Sequence, residues 1–269
     1  MNNIQKLLSK KNKALLVELV RTDFKLRYQG SVLGYTWSLL RPLFMFLILY
    51  IVFAKFLRVG SAVPNFPIYL LFGIVLWTFF ADLTSQGLGS IVGRGDLIRK
   101  IRIPRWLIIV STSVSALINL GLNLLVVAVF IVISGMDLLA TSVWVPLILL
   151  EIYVLGLGVS LILATAFVKY RDISYIWEVI IQAGFYITPI LYPLTLIVNV
   201  DYQKLLLLNP MAQAVQDARY MLVTHDTITM GKLFSLNIIY LVPVLFCVSI
   251  LIIGVLYFKK EAKDFAENL

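Results

Sequence analysis

The chain is predicted to be an all-α integral membrane protein, and three observations carry that prediction. Apolar residue types make up 61% of the sequence and the mean hydropathy is +0.95. The apolar residues run on without alternation, whereas a lipid-facing barrel requires a period of two. No stretch is long and polar enough for a soluble domain, which needs roughly 100 residues with alternating polar faces. The polar residues instead form short turns, plus one loop of about forty residues after the fifth apolar run.

A spanning helix needs roughly 20 apolar residues, because the hydrocarbon core is about 30 Å thick and a helix rises about 1.5 Å per residue. Six segments meet that length: Tyr35 to Phe56, Phe66 to Ile91, Trp106 to Ser134, Val143 to Val168, Ile173 to Tyr192 and Leu236 to Phe258. Ahead of them, Lys13 to Tyr28 is too short and too charged to span. Leu15, Leu16, Leu19, Val20 and Phe24 gather on one helical face, with Glu18, Arg21, Asp23, Lys25 and Arg27 elsewhere, the pattern of a helix lying in the interface. Between the second and third spans, GRGDLIRKIRIPRW alternates apolar and basic residues, with Pro104 setting the next helix start. The loop on its own reads equally as a knob for a partner's groove or as a solvated, topology-setting turn. After the fifth span, Leu194 to Leu208 holds two apolar pieces, neither of spanning length. A hairpin dipping part-way into the outer leaflet is expected there. NPMAQAVQDARYMLV reads as a short external helix, with Asn209 capping and Pro210 first.

Charge sets the expected orientation. With the amino terminus inside, the cytoplasmic rim holds 18 of the 23 lysines and arginines. Lys55, Arg58, Lys204, Arg219 and Lys232 remain outside, and both termini are cytoplasmic. The net charge of +9 then meets anionic lipid headgroups. A nucleic-acid partner is not expected, because the basic residues follow membrane boundaries instead of forming a folded patch. No cleaved signal peptide is expected, since no compact apolar core with a small-residue cleavage site follows the basic start. Cys247, the only cysteine, lies in the last span, so no disulfide framework or thiolate cluster forms.

An enzyme is disfavoured by the same reading. No GxxxxGK[ST] loop and no HExxH pattern occur, and the single histidine, His225, stands beside Asp226 in a polar segment. No catalytic residue, metal site or bound cofactor is expected. A lipid-modifying glycosyltransferase would show carboxylate or histidine clusters near one membrane face. Asp82, Glu151 and Glu178, in or near apolar spans, are functional suspects by position.

Taken in order, several segments resemble the permease subunits of type-2 ABC exporters of polysaccharides, teichoic acids and O-antigens. They are the amphipathic start, FKLRYQGSVLGYTWSLLRPL, LIRKIRIPR, KYRDISYIWEVIIQAGFYITPILYP, NPMAQAVQDARYML and FKKEAKDFAENL. The resemblance covers nearly the whole chain. Only Val223 to Leu233, polar and irregular, is not aligned. It implies a homodimer of six-span subunits with two copies of a separate ABC ATPase, which carries the ATP and Mg²⁺. It also implies residues 1–34 as a cytoplasmic segment with an interfacial helix and gate loop, 35–258 as the transmembrane domain, and 259–269 as a cytoplasmic tail. Within the domain, a coupling helix falls at about 94–105, using Leu97, Ile98, Arg99, Lys100, Ile101, Arg102 and Pro104. The external re-entrant region falls at about 188–210.

The cargo so implied is a polyprenyl-diphosphate-linked glycan, and its chemistry selects candidate residues. A diphosphate needs cations near the cytoplasmic headgroups, where Lys25, Arg27 and Arg41 stand, with Tyr28 in the same gate. Arg41 lies one or two turns into an apolar span, where an unpaired charge costs roughly 2.5–3.5 kcal/mol. Snorkelling, or pairing with a partner such as Asp23, is its other reading. Sugars favour flat aromatic faces. Trp37, Phe44, Trp77, Phe80, Phe185 and Tyr186, with Tyr50 and Phe79, are the candidates, against a competing use in lipid packing and interfacial belts. The alternative function is a type-2 permease for a drug or small lipid.

Overall fold

The computed structural model describes residues 10–27, 30–31, 33–100, 103–234, 239, 241–263 and 265. Among these the chain is helical, with no strand. The helices are α1 (Lys10–Arg27), α2 (Trp37–Tyr50), α3 (Phe66–Ser90), α4 (Gly95–Lys100), α5 (Arg105–Ser134), α6 (Val145–Lys169), α7 (Ile173–Ile187), α8 (Val200–Leu207), α9 (Pro210–Leu222), α10 (Met230–Leu233) and α11 (Leu241–Glu261). Among the described residues, five stretches are long and apolar enough to cross a membrane: Trp37–Phe56, Phe66–Ser90, Arg105–Ser134, Ala140–Lys169 and Leu241–Glu261.

The fifth expected span, Ile173 to Tyr192, forms only the 15-residue α7. At about 1.5 Å per residue this covers about 22 Å, short of the roughly 30 Å hydrocarbon core. The cause is local. Thr188 precedes Pro189, whose ring disfavours the α conformation in the residue before it. Thr188 is accordingly extended, at φ −69° and ψ 133°.

α3 is the hub of the bundle. It packs on α2, α5, α6, α7 and α9, and Leu70, Leu71, Phe72 and Leu76 on it have no exposed surface. α1 lies along α5 with Leu19 buried and Leu15, Leu16, Val20 and Phe24 half-buried, while Glu18, Arg21 and Lys25 face outward. The apolar face read from the sequence is therefore the face that packs. α5 ends at Gly135, at φ +65°, whose N–H reaches Ile131 O and Val132 O. Only glycine adopts that left-handed cap without cost.

Association between spans depends on close packing, since lipid tails are as apolar as leucine. The α6–α11 pair shows this most clearly. Gly158 faces Gly254, and a Cβ at Gly158 would stand 2.7 Å from the Leu251 backbone nitrogen. A larger residue in a helix interior gains up to about 1 kcal/mol over glycine in backbone entropy. Here the blocking atom is main chain and cannot swing aside, so the clash dominates. Gly158→Val is expected to destabilise the protein by roughly 1–3 kcal/mol, read as a lower unfolding midpoint in detergent. An unchanged midpoint would refute the α6–α11 contact.

Candidate translocation groove

Apolar side chains on α2, α3 and α7 leave a groove between these helices, and a few polar groups line it. One cavity of about 550 Å³ is bounded by Arg41, Trp77, Thr78, Asp82, Gln182 and Phe185, among others. A second, of about 360 Å³, continues past Trp37, Ser38, Gln86 and Asn119 and shares Arg41, Pro42, Thr78 and Asp82. Arg41 and Asp82 thus lie at the junction, bringing an arginine and a carboxylate to the shared part of the two cavities.

The wall behind the groove is aromatic. Trp77 lies 6.2 Å from Phe185 between ring centres, at 63°, and Phe185 lies 5.5 Å from Tyr186, at 84°. Both are edge-to-face arrangements, which aromatic quadrupoles favour. Gly184 makes room for this, because a Cβ there would meet the Trp77 ring at 2.7 Å. Behind Trp77, Phe80 packs at 5.7 Å and in turn reaches Trp177 at 6.5 Å. Trp177 Nε1 donates to Thr84 Oγ1 at 3.3 Å.

Of the six aromatic candidates, Trp37, Trp77, Phe185 and Tyr186 line the groove. Phe80 is buried behind it and lines a separate recess with Trp177. Phe44 is 54% exposed and lines neither cavity. Of the gate residues, Arg41 borders the groove and Lys25 is exposed on α1. The Arg27 side chain and Tyr28 lie outside the described residues. In the coupling segment, Leu97 and Ile98 are half-buried, and Arg99 and Lys100 are exposed on the six-residue α4. Pro104 precedes α5, and Ile101 and Arg102 lie outside the described residues.

The alternative pairing of Arg41 with Asp23 is not formed; Asp23 Oδ1 forms an ion pair with Arg94. Arg94 also donates to Ile108 O at 3.4 Å and Ser111 Oγ at 3.3 Å. It therefore ties α1, the turn before α4, and α5 together. Glu178 is exposed, and Lys169 pairs with Glu261 at the foot of α11. His225 is exposed with its ring 4.6 Å from Tyr220, and among the described residues no three His, Cys, Asp or Glu side chains converge.

A family model described as "ABC-2 type transporter" matches residues 14–223. The chain belongs to the ABC-2 type transporter family. Its relatives include two O-antigen export system permease proteins, matched almost end to end. The one from Myxococcus xanthus is 29% identical over 258 residues, covering 96% of each chain. The one from Klebsiella pneumoniae is 30% identical over 257 residues, covering 95% of each. This ABC-2 permease is a transport subunit and a multi-pass protein of the bacterial cytoplasmic membrane.

Sequence reasoning placed Arg219 among outer-face charges and missed its role. Every residue of α9 from Pro210 to Arg219 is buried, although the segment reads from the sequence as a short external helix. Arg219 has no exposed surface. Its Nε donates to Tyr69 O at 3.0 Å, Nη1 to Pro189 O at 2.6 Å and Nη2 to Ile190 O at 2.7 Å. The guanidinium also lies 3.7 Å from the centre of the Tyr69 ring. Gly73 permits this, since a Cβ there would collide with Nη2. The available signal was an arginine within a short, mostly apolar helix flanked by Asn209-Pro210.

Asp217, also on α9, is held up to about 6 by burial, against an ordinary 3.8, even though Gln213 Nε2 donates to Oδ2 at 2.6 Å. Glu151 of α6 is a neighbouring carboxylate. The folded chain binds this proton more tightly than the unfolded chain does. The resulting stability is full below about pH 3.8 and is lost as the pH rises through about 6. Asp217→Asn is expected to raise the unfolding midpoint at pH 7.5, by at most about 3 kcal/mol, and to change little at pH 4. Equal effects at both pH values would contradict this.

Proposed function

We propose that this permease exports a polyprenyl-diphosphate-linked polysaccharide, of the O-antigen or teichoic-acid class, across the cytoplasmic membrane. It works as a homodimer on two copies of a separate ABC ATPase, which bind ATP and Mg²⁺. The observation that carries the reading is the near end-to-end match to two permeases named for O-antigen export. The groove's chemistry supports it: two cavities meeting at Arg41 and an aromatic wall suit an anionic lipid head followed by sugar rings.

The proposed topology has six crossings, with α7 as a short fifth that continues into a re-entrant segment over Thr188 to Pro210. Both termini are cytoplasmic and α1 lies in the interface. Support comes from the crowding of lysine and arginine along one rim and from the buried end of the helix at 188–190.

In the proposed mechanism, lipid-linked glycan approaches from the cytoplasmic leaflet between α1 and α2. Lys25, Arg27 and Arg41 hold its diphosphate, with Tyr28 in the same gate. The sugar chain slides over Trp37, Trp77, Phe185 and Tyr186 while the polyprenyl tail stays in lipid. Closure of the ATPase subunits moves Leu97 to Pro104. The Arg94–Asp23 pair couples that movement to α1, so the gate and the coupling segment shift together.

Depletion of the protein in its host, followed by leaflet-resolved analysis of lipid-linked glycans, tests this. Build-up of a polyprenyl-diphosphate polymer on the cytoplasmic side is expected. Intact surface glycan without build-up would favour a drug or small-lipid permease. Within the complex, Arg99→Glu with Arg102→Glu is expected to leave the permease's unfolding midpoint within about 0.5 kcal/mol while uncoupling ATP hydrolysis from export. Unimpaired export would remove the coupling assignment.

A further inference from the structure

A cavity of about 870 Å³ lies away from the groove, between α5 and α11. α6 forms its floor through Leu157 and Leu161, and Leu251 and Val255 form the α11 wall. Ile98, Ile103 and Pro104 close it at the α4 end. Among the described residues, its charged lining residues are Arg105, which opens α5, and Lys259, near the end of α11. Both stand at the same membrane boundary as α4, and no carboxylate lines the cavity among the described residues. Trp106 lies beside them, the residue type that favours headgroup level.

We propose that this groove binds one anionic phospholipid of the surrounding leaflet, with its phosphate between Arg105 and Lys259 and an acyl chain along α6. Geometry and charge favour that occupant. From Lys259 to Leu251 the groove runs about 12 Å along α11, nearly the depth of one leaflet, about 15 Å. A soluble partner does not reach that far into hydrocarbon. A second copy's apolar helix or a neutral lipid gains nothing from two cations at one end, whereas a phosphate there gains charge-assisted hydrogen bonds. Arg105 is held in place by the Phe265 ring, 6.0 Å from its guanidinium. The bound lipid packs on Ile98 of α4 and on Ile103 and Pro104 just before α5.

The test is native mass spectrometry of the full-length, delipidated protein titrated with phosphatidylglycerol or phosphatidylcholine of identical acyl chains. One phosphatidylglycerol is expected to be retained roughly tenfold more tightly than phosphatidylcholine. Arg105→Gln with Lys259→Gln should erase that preference, and Arg105→Lys with Lys259→Arg should keep it. Val110→Trp, which fills the groove without touching its charges, should abolish retention of both lipids, and Lys55→Gln with Arg58→Gln should change nothing. Equal retention of the two lipids by the unaltered protein would overturn the proposal. So would unchanged preference in the Gln variant, or displacement of phosphatidylglycerol by equimolar polyprenyl phosphate. The first comparison needs no variant, so a misfolded substitution does not protect the proposal.

Discussion

A helix that stops within apolar surroundings leaves backbone carbonyls without water, and each one left unpaired costs about 1–3 kcal/mol. α7 stops in this way, with Thr188, Pro189, Ile190 and Leu191 all buried. The carbonyls of Pro189 and Ile190 find one common donor, the Arg219 guanidinium, which also holds Tyr69 O. Burying an arginine is itself costly. Three carbonyl dipoles and the face of the Tyr69 ring offset that cost. One side chain therefore fixes the start of α3, the end of α7 and the whole of α9 relative to one another.

The groove follows from that junction. Phe185 and Tyr186 lie in the last turn of α7, immediately before the pinned carbonyls, and Trp77 stands two turns along α3 from Tyr69. Their edge-to-face contacts are therefore built between two elements already held by Arg219. At the other end of the bundle, the Arg94–Asp23 pair performs a similar task, joining α1 to the turn before α4. The two arginines differ in exposure: Arg219 is sealed, whereas Arg94 and Asp23 keep some access to water.

The helical class and most span boundaries were legible in sequence because the bilayer imposes length and polarity so strictly. Arg105–Ser134 and Phe66–Ser90 fall within a residue of the expected limits, and Asn209 caps α9 as its type and place predict. Less legible was whatever depended on long-range pairing. Asp23 lies 71 positions from Arg94, and Arg219 lies 150 from Tyr69, so no local pattern announces either contact. α9 misled for the same reason: its glutamines, aspartate and arginine resemble a wet surface, yet all are buried, with Asp217 and Arg219 finding their partners inside the protein. Among the aromatics, residue type alone does not say which face a side chain takes, and Phe44, exposed and away from both cavities, shows this.

The sharpest measurement is the unfolding midpoint of the purified chain carrying Arg219→Met beside Arg219→Lys. The account predicts that methionine, similar in length but unable to donate, lowers stability by about 3 kcal/mol or more. Lysine, which reaches only some of the carbonyls, should fall between. A methionine variant as stable as the unaltered protein would contradict the claim that this junction holds the bundle together.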